Sequence, residues 1–211
     1  SVRQMLATLA LLPQVQRMER EQCRQILGAI LEQHPDYLNI ALTDRHGIVQ
    51  VAGRSLRITD LADRKHVRAA MEREAFSVGE YIMSRTGSGT PAFAFAHPVY
   101  DPDKQLRGVL TAAIRLADFA KFYDVSNLPE QSFVAVTDHQ GIRLFYYPSL
   151  KDTNPIGQPI KKSSWEKAHL AGKPGIFSGQ GSDGVRRIFA FEPVRFEPDD
   201  PPYMYVWTGI P

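Results

Sequence analysis

The sequence predicts an α+β fold: a long N-terminal helix, then two mixed modules, each an antiparallel sheet of about five strands with a crossing helix. Three observations predict it. An amphipathic helical pattern fills residues 2–33, and strand-like alternation bounded by turn residues fills most of the remaining chain. The third is a repeat. Residues 39–48, ending in Thr-Asp-x-x-Gly-Ile, are answered at 133–142, an offset of 94. Phe95-Ala96-His97-Pro98-Val99 is answered by Ala190-Phe191-Glu192-Pro193-Val194, an offset of 95. Two motifs in the same order at nearly the same spacing mark one module used twice. The expected organisation is a helix over 1–36, a first module over 37–127 and a second over 128–211.

The N-terminal stretch carries Val2, Met5, Leu6, Leu9, Leu12, Val15, Ile26, Leu27, Ile30 and Leu31 at three-to-four spacing, with Arg, Glu and Gln between. Pro13 should kink or interrupt it, and His34-Pro35-Asp36 should end it. Residues 37–43 alternate as a strand, Asp44–Gly47 make a turn, and 48–52 return as the second arm of a hairpin. Asp60–Arg73 reads as a short helix, with Asp60 or Asp63 as its N-cap. Strands are expected at 78–85, 92–99 and 108–116, joined by Thr86–Gly89 and Asp101–Lys104, both of turn chemistry. A short helix over 117–127 links the modules. The second module repeats the plan, with a hairpin at 132–147, a helix at 163–171 and strands at 175–178, 186–193 and 203–208.

The bulk numbers exclude several classes. The chain has 211 residues, 43% hydrophobic and 23% charged, which is ordinary for a globular protein with two modest cores. A net charge of +2 with interleaved signs argues against nucleic-acid binding. No apolar run reaches the 18 or so residues of a membrane span. The chain begins inside a helical pattern, so it is read as an excised piece whose membrane segments have been cut away. One cysteine, Cys23, leaves no internal disulfide or cysteine-rich metal site, and its spacing with Ile26, Leu27 and Ile30 places it in a core.

A family resemblance enters on an ordered set of residues. Tyr37–Asp44 with Gly47, Asp63-Arg64 opening a helix, Gly79-Glu80, His97-Pro98-Val99, and Gly108-Val109-Leu110 with Ala112 and Ile114 fall in sequence. They resemble the double Cache domain, the extracytoplasmic sensor of bacterial histidine kinases, chemoreceptors and diguanylate cyclases. The resemblance implies a stalk helix, two PAS-like modules, and a small-molecule pocket in the membrane-distal, first one.

The amino-acid-binding branch of that family uses Arg-x-Trp-Tyr on the pocket helix, Tyr-x-Asp on the next strand and a further Asp on the last strand. Arg64 and Tyr81 match that pattern, while His66 and Val67 replace Trp and Tyr. Met83 stands where the first Asp would be and Ala113 near the second. Those carboxylates clamp an ammonium, so their loss argues against an α-amino acid ligand. The surviving chemistry is cationic. Arg64 can hold a carboxylate through two parallel hydrogen bonds. His66 and His97 can add donors whose charge depends on pH, and Tyr81, Met83, Phe93 and Phe95 can form apolar walls. Each residue also has a plainer reading. Arg64 can be an ion pair with nearby acids, Met83 a filler and His97 a strand end. Phe93 and Phe95 can be core, in which case the Ala92-Ala94-Ala96 face lines the cavity.

Gly179–Gly184 matches G-x-G-x-x-G, yet a strand comes next rather than a helix, so it is read as a hairpin turn. The six histidines show no metal-ligand spacing, and neither a metal nor a cofactor is expected. The second module lacks Asp-Arg before its helix, which assigns binding to the first. The expected function is therefore a periplasmic sensor of a small organic anion such as a carboxylate. It would be anchored by flanking transmembrane helices, dimeric through the N-terminal helix, without enzymatic activity, and part of a histidine kinase in the first place. The rivals are a protein-interaction sensor, a sensor for another small molecule on a chemoreceptor or diguanylate cyclase, and a small hydrolase or isomerase using His66 or His97.

Overall fold

The structure is a computed structural model that describes residues 1–56, 59–86, 89–122, 128–149 and 153–211. The chain divides into two compact units, Ser1–Arg115 and Leu116–Pro211. The expected boundary after residue 127 falls outside the described residues.

The N-terminal stretch is three helices: α1 (Val2–Ala10), α2 (Pro13–Gln16) and α3 (Arg20–Gln33). The single long helix is therefore corrected. Pro13 has no N–H and drives Leu12 out of helical geometry, so Leu12 is extended with ψ 129° and α2 begins afresh. A second break, unannounced by any proline or glycine, lies at Met18, whose φ is +54°. The apolar stripe is used within the unit. Leu6, Val15, Cys23, Leu27 and Leu31 are buried, with α1 against the strands at 91–100 and 106–115 and α3 against those at 37–43 and 49–52.

Five strands come next: β1 (Tyr37–Thr43), β2 (Val49–Ala52), β3 (Ser77–Met83), β4 (Pro91–Tyr100) and β5 (Leu106–Arg115). They form one antiparallel sheet in the order β2-β1-β5-β4-β3. Helix α4 (Lys65–Arg73) lies on the face away from α1, with Val67 and Ala70 meeting Leu61, Ala96 and Val109. It starts later than expected. Arg64 occupies the N-cap position without a side-chain cap, because Asp63 is engaged by Arg85 instead.

After a 3₁₀ turn at Leu116–Phe122, the second unit repeats the plan with β6 (Phe133–Asp138), β7 (Arg143–Tyr147), α5 (Lys162–Ala171), β8 (Gly175–Gln180), β9 (Arg186–Val194) and β10 (Met204–Ile210). Its sheet order, β7-β6-β10-β9-β8, is the first order shifted by five strands. The repeated Thr-Asp-x-x-Gly-Ile motif has a physical cause. Asp44 Oδ1 accepts from the backbone N–H of His46 and Ile48 at 2.8 and 3.1 Å, and Asp138 Oδ1 from Gln140 and Ile142, both at 2.9 Å. Gly47 and Gly141 supply φ of +81° and +80° two steps before the returning strand. Gly179–Gly184 closes the β8–β9 hairpin, with Gly181 N–H donating to the Val185 carbonyl.

Candidate functional site

Strand alternation decides which side chains can meet in the first unit. Even-numbered residues of β4 share a face with odd-numbered residues of β5, so Ala94, Thr111 and Ala113 point to the α4 side along with Asn39 and Ala41 of β1. These are small side chains. They leave a cavity of about 40 Å³ between the sheet, the N-terminal end of α4 and the segment after β3. Arg64, His66, Leu61, Ile82, Ser84 and Arg85 complete most of its wall.

Arg64 is half-buried, and its Nη2 donates to the Met83 carbonyl at 3.0 Å. Among the described residues it has no ion pair. Desolvation and the nearby Arg85 charge hold its guanidinium pKa below the usual value. Arg85 lies across the wall and is tied to Asp63 by bonds of 2.7 and 2.6 Å, with a further bond to the Asp60 carbonyl. That pairing lowers the Asp63 pKa and raises that of Arg85. The described lining thus presents two guanidiniums and no carboxylate.

His66 is 3% exposed and its Nδ1 has no hydrogen-bond partner among the described residues. A methyl group on Gly79 would stand 3.0 Å from that nitrogen and 2.9 Å from the Ala94 carbonyl, so only glycine lets α4 approach β3 this closely. Burial first, then the charges of Arg64 and Lys65, push the imidazole pKa down to about 3. His66 is therefore neutral between pH 5 and 8, and the expectation that its charge changes in that range is corrected.

Of the eight residues singled out from sequence, the structure brings Arg64, His66 and Ala113 together on the cavity. Met83 contributes its carbonyl to Arg64 while its side chain is 48% exposed, and the Tyr81 hydroxyl donates to the Met83 sulfur at 3.2 Å. Phe93, Phe95 and His97 occupy the opposite sheet face. Phe93 is fully buried and meets Phe95 edge-on, and Phe95 stacks on Phe76, which lies under the Arg3 guanidinium of α1. His97 sits with Ala7, Ala10 and Leu11 in a groove beside α1. Sequence reasoning missed Arg85, Asn39, Ser84 and Thr111. The parity that placed Ala92-Ala94-Ala96 on one face was the available signal for Thr111. Arg85 lies beyond the end of β3, where parity no longer applies.

The sequence matches no family model and no curated protein. Solved structures do match. The extracellular domain of rpHK1S-Z16, assigned as a histidine kinase, superposes with a TM-score of 0.71 at 22% identity over 88% of this chain and 75% of that one. The periplasmic sensory domain of the Campylobacter jejuni chemoreceptor Tlp1 gives 0.61 at 15% over 99% and 86%. The chain shares the fold of these sensory domains. The ligand-binding domain of the Pseudomonas aeruginosa PAO1 amino acid chemoreceptor PctB, solved with L-Arg, gives 0.66 at 15% over 99% and 88%. The first two of these neighbours are extracellular or periplasmic domains, and the third is a ligand-binding domain. The two five-stranded antiparallel sheets of the present chain are consistent with the two PAS-like modules expected. Among the described residues no helix is long and apolar enough to cross a membrane, and no group of acids, histidines and cysteine is placed to hold a metal.

Proposed function

We propose that this chain is the periplasmic ligand-binding domain of a bacterial transmembrane receptor, in the first place a histidine kinase, and that the first module binds a small carboxylate on Arg64. One observation carries the ligand class: two guanidiniums and no carboxylate face the cavity among its described lining residues. An ammonium group would meet no carboxylate among the described lining residues, which separates this site from one that holds an amino acid. A carboxylate would replace the Met83 carbonyl as partner of Arg64, adding an opposite charge and a bidentate geometry that a single carbonyl cannot offer.

Signalling requires that the ligand prefer one of two states. Arg64 stands at the start of α4 and Arg85 just after β3, so an anion held by both would draw the helix end and the strand end together. We read the site as binding without turnover, since an imidazole with a pKa of about 3 is a feeble base at neutral pH. Dimerisation is proposed through the exposed edge of the N-terminal helices, where Leu11 is 73% exposed, because the rest of the stripe packs on its own sheet.

The small volume supports a second reading. A cavity of about 40 Å³ is far below the ~300 Å³ of a drug-sized pocket, which favours either a ligand of few atoms or a domain that senses a partner protein instead. Thermal melts against organic acids, amino acids, amines and purines separate the two, since a ligand at a hundred times its Kd stabilises by about 2.7 kcal/mol. A carboxylate shift that Arg64→Ala abolishes supports the anion sensor. A shift from amines or amino acids contradicts it, and no shift at all favours the partner protein.

A further inference from the structure

The second module has a cavity of its own, of about 70 Å³, and Arg143 of β7 forms part of its wall. Arg143 is 5% exposed. Its Nη1 donates to the Pro155 carbonyl at 2.8 Å, yet among the described residues its Nε has no partner and no carboxylate pairs with it. Asp183 is already bound to Arg187 through bonds of 2.7 and 2.6 Å. Lys161 and Arg187 also line the cavity, and its described lining includes no acid. Burial holds the Arg143 guanidinium below its usual pKa without neutralising it. The Tyr146 ring, 5.8 Å away, faces the guanidinium, but a buried cation without a carboxylate among the described residues is costly, and an orphaned buried N–H adds to that cost.

The rest of the wall defines what would fit. Phe133, Phe189 and Trp207 provide an apolar side, while Asn154, Ser164 and Ser182 provide a polar one. A cavity of about 70 Å³ limits a guest to a few non-hydrogen atoms, which suits a short acid such as propionate. We propose that this cavity is a second anion site, taking a short monocarboxylate whose charged end meets Arg143 Nε and whose alkyl part lies against Phe133, Phe189 and Trp207. The glycine-rich hairpin then acquires a role. Gln180, Gly181 and Ser182 border the cavity, so the motif shapes a rim for a small acid rather than a cradle for a dinucleotide. The site is independent of the Arg64 cavity and stands whether or not that one binds anything.

A structural role competes with this. Arg143 also anchors the following loop, its backbone N–H donating to the Gln158 carbonyl and its own carbonyl accepting from Gly157. The arginine Nε–Hε resonances in a ¹⁵N-edited NMR spectrum distinguish the two, with the Arg143 signal assigned from Arg143→Lys. Titration with sodium propionate should move that signal saturably, in Arg64→Ala as in the native chain, while the uncharged propionamide leaves it in place. Ala135→Val, which adds two carbons to the cavity wall, should weaken the response about tenfold or more. An Arg143 signal indifferent to propionate throughout the titration overturns the proposal. So does one that moves only while Arg64 is intact, which would assign propionate to the first module alone.

Discussion

Asp63 and Arg85 meet through two parallel hydrogen bonds of 2.7 and 2.6 Å, and this leaves Arg64, the next residue after Asp63, with a backbone carbonyl as its partner. Of the two guanidiniums on one wall, only Arg85 is neutralised by a carboxylate among the described residues. Replacing Asp63 by Asn should cost little stability, under about 1 kcal/mol, because the acid is 60% exposed at its side chain and water screens the pair. The same change should tighten carboxylate binding, since Arg85 is then no longer neutralised. Urea unfolding and calorimetric titration at two salt concentrations check both, the gain in affinity fading at high salt. Weaker binding would mean that the pair serves to position Arg85.

His66 makes stability depend on pH. Its folded pKa of about 3 lies below the 6.5 of an unfolded imidazole, so the unfolded chain binds the extra proton between those values. Stability from this group is complete above pH 6.5 and is lost as pH falls towards 3, by about 1.4 kcal/mol per unit. Between pH 7.5 and pH 5 the loss should be about 2 kcal/mol, read from urea midpoints of the first module's transition. His66→Gln should remove that slope. An equal slope in the variant would show that other groups set it.

Much of the fold was legible because each element carries its own local physics. The hairpins at Asp44 and Asp138 were readable from an acid that caps two backbone N–H groups and a glycine that supplies positive φ. The site was less legible, since a cavity is defined by which sheet face each residue occupies. Phe93 and Phe95 suit a ligand wall by chemistry, and only the pairing of β4 with β5 sets them on the α1 face. Arg85 reaches the cavity by tertiary contact with Asp63, and nothing in its local sequence foretells that.

Gly108 should tolerate no side chain. A methyl group there would lie 1.8 Å from the Thr43 carbonyl oxygen, at the point where Thr43 Oγ1 also bonds both backbone groups of Val109. Because both clashing atoms belong to paired strands, relief requires separating β1 from β5. Gly108→Ala should therefore lose about 3 kcal/mol or more. Gly28→Ala is the counterpart, with nothing within 4 Å of the added methyl in the middle of α3, and should gain about 0.5–1 kcal/mol. Melting curves of the two variants should shift in opposite directions.

The assignment of sheet faces is tested by two neighbours. Phe93 is buried in the core on the α1 side, and Ala94 lines the cavity on the other. Phe93→Ala should cost about 3–5 kcal/mol, since the ring is fully buried and its cavity would be flanked by Phe95. At saturating ligand the folded fraction of that variant should still bind a carboxylate with native affinity. Ala94→Leu should do the reverse. Three added carbons have nowhere to go in a cavity of about 40 Å³ except into the space a ligand would use. Carboxylate binding should vanish while the far-UV spectrum and the packing of Phe93 are kept. If Ala94→Leu bound the acid normally and Phe93→Ala did not, the ligand would lie on the α1 face, and Arg64 would be a structural arginine.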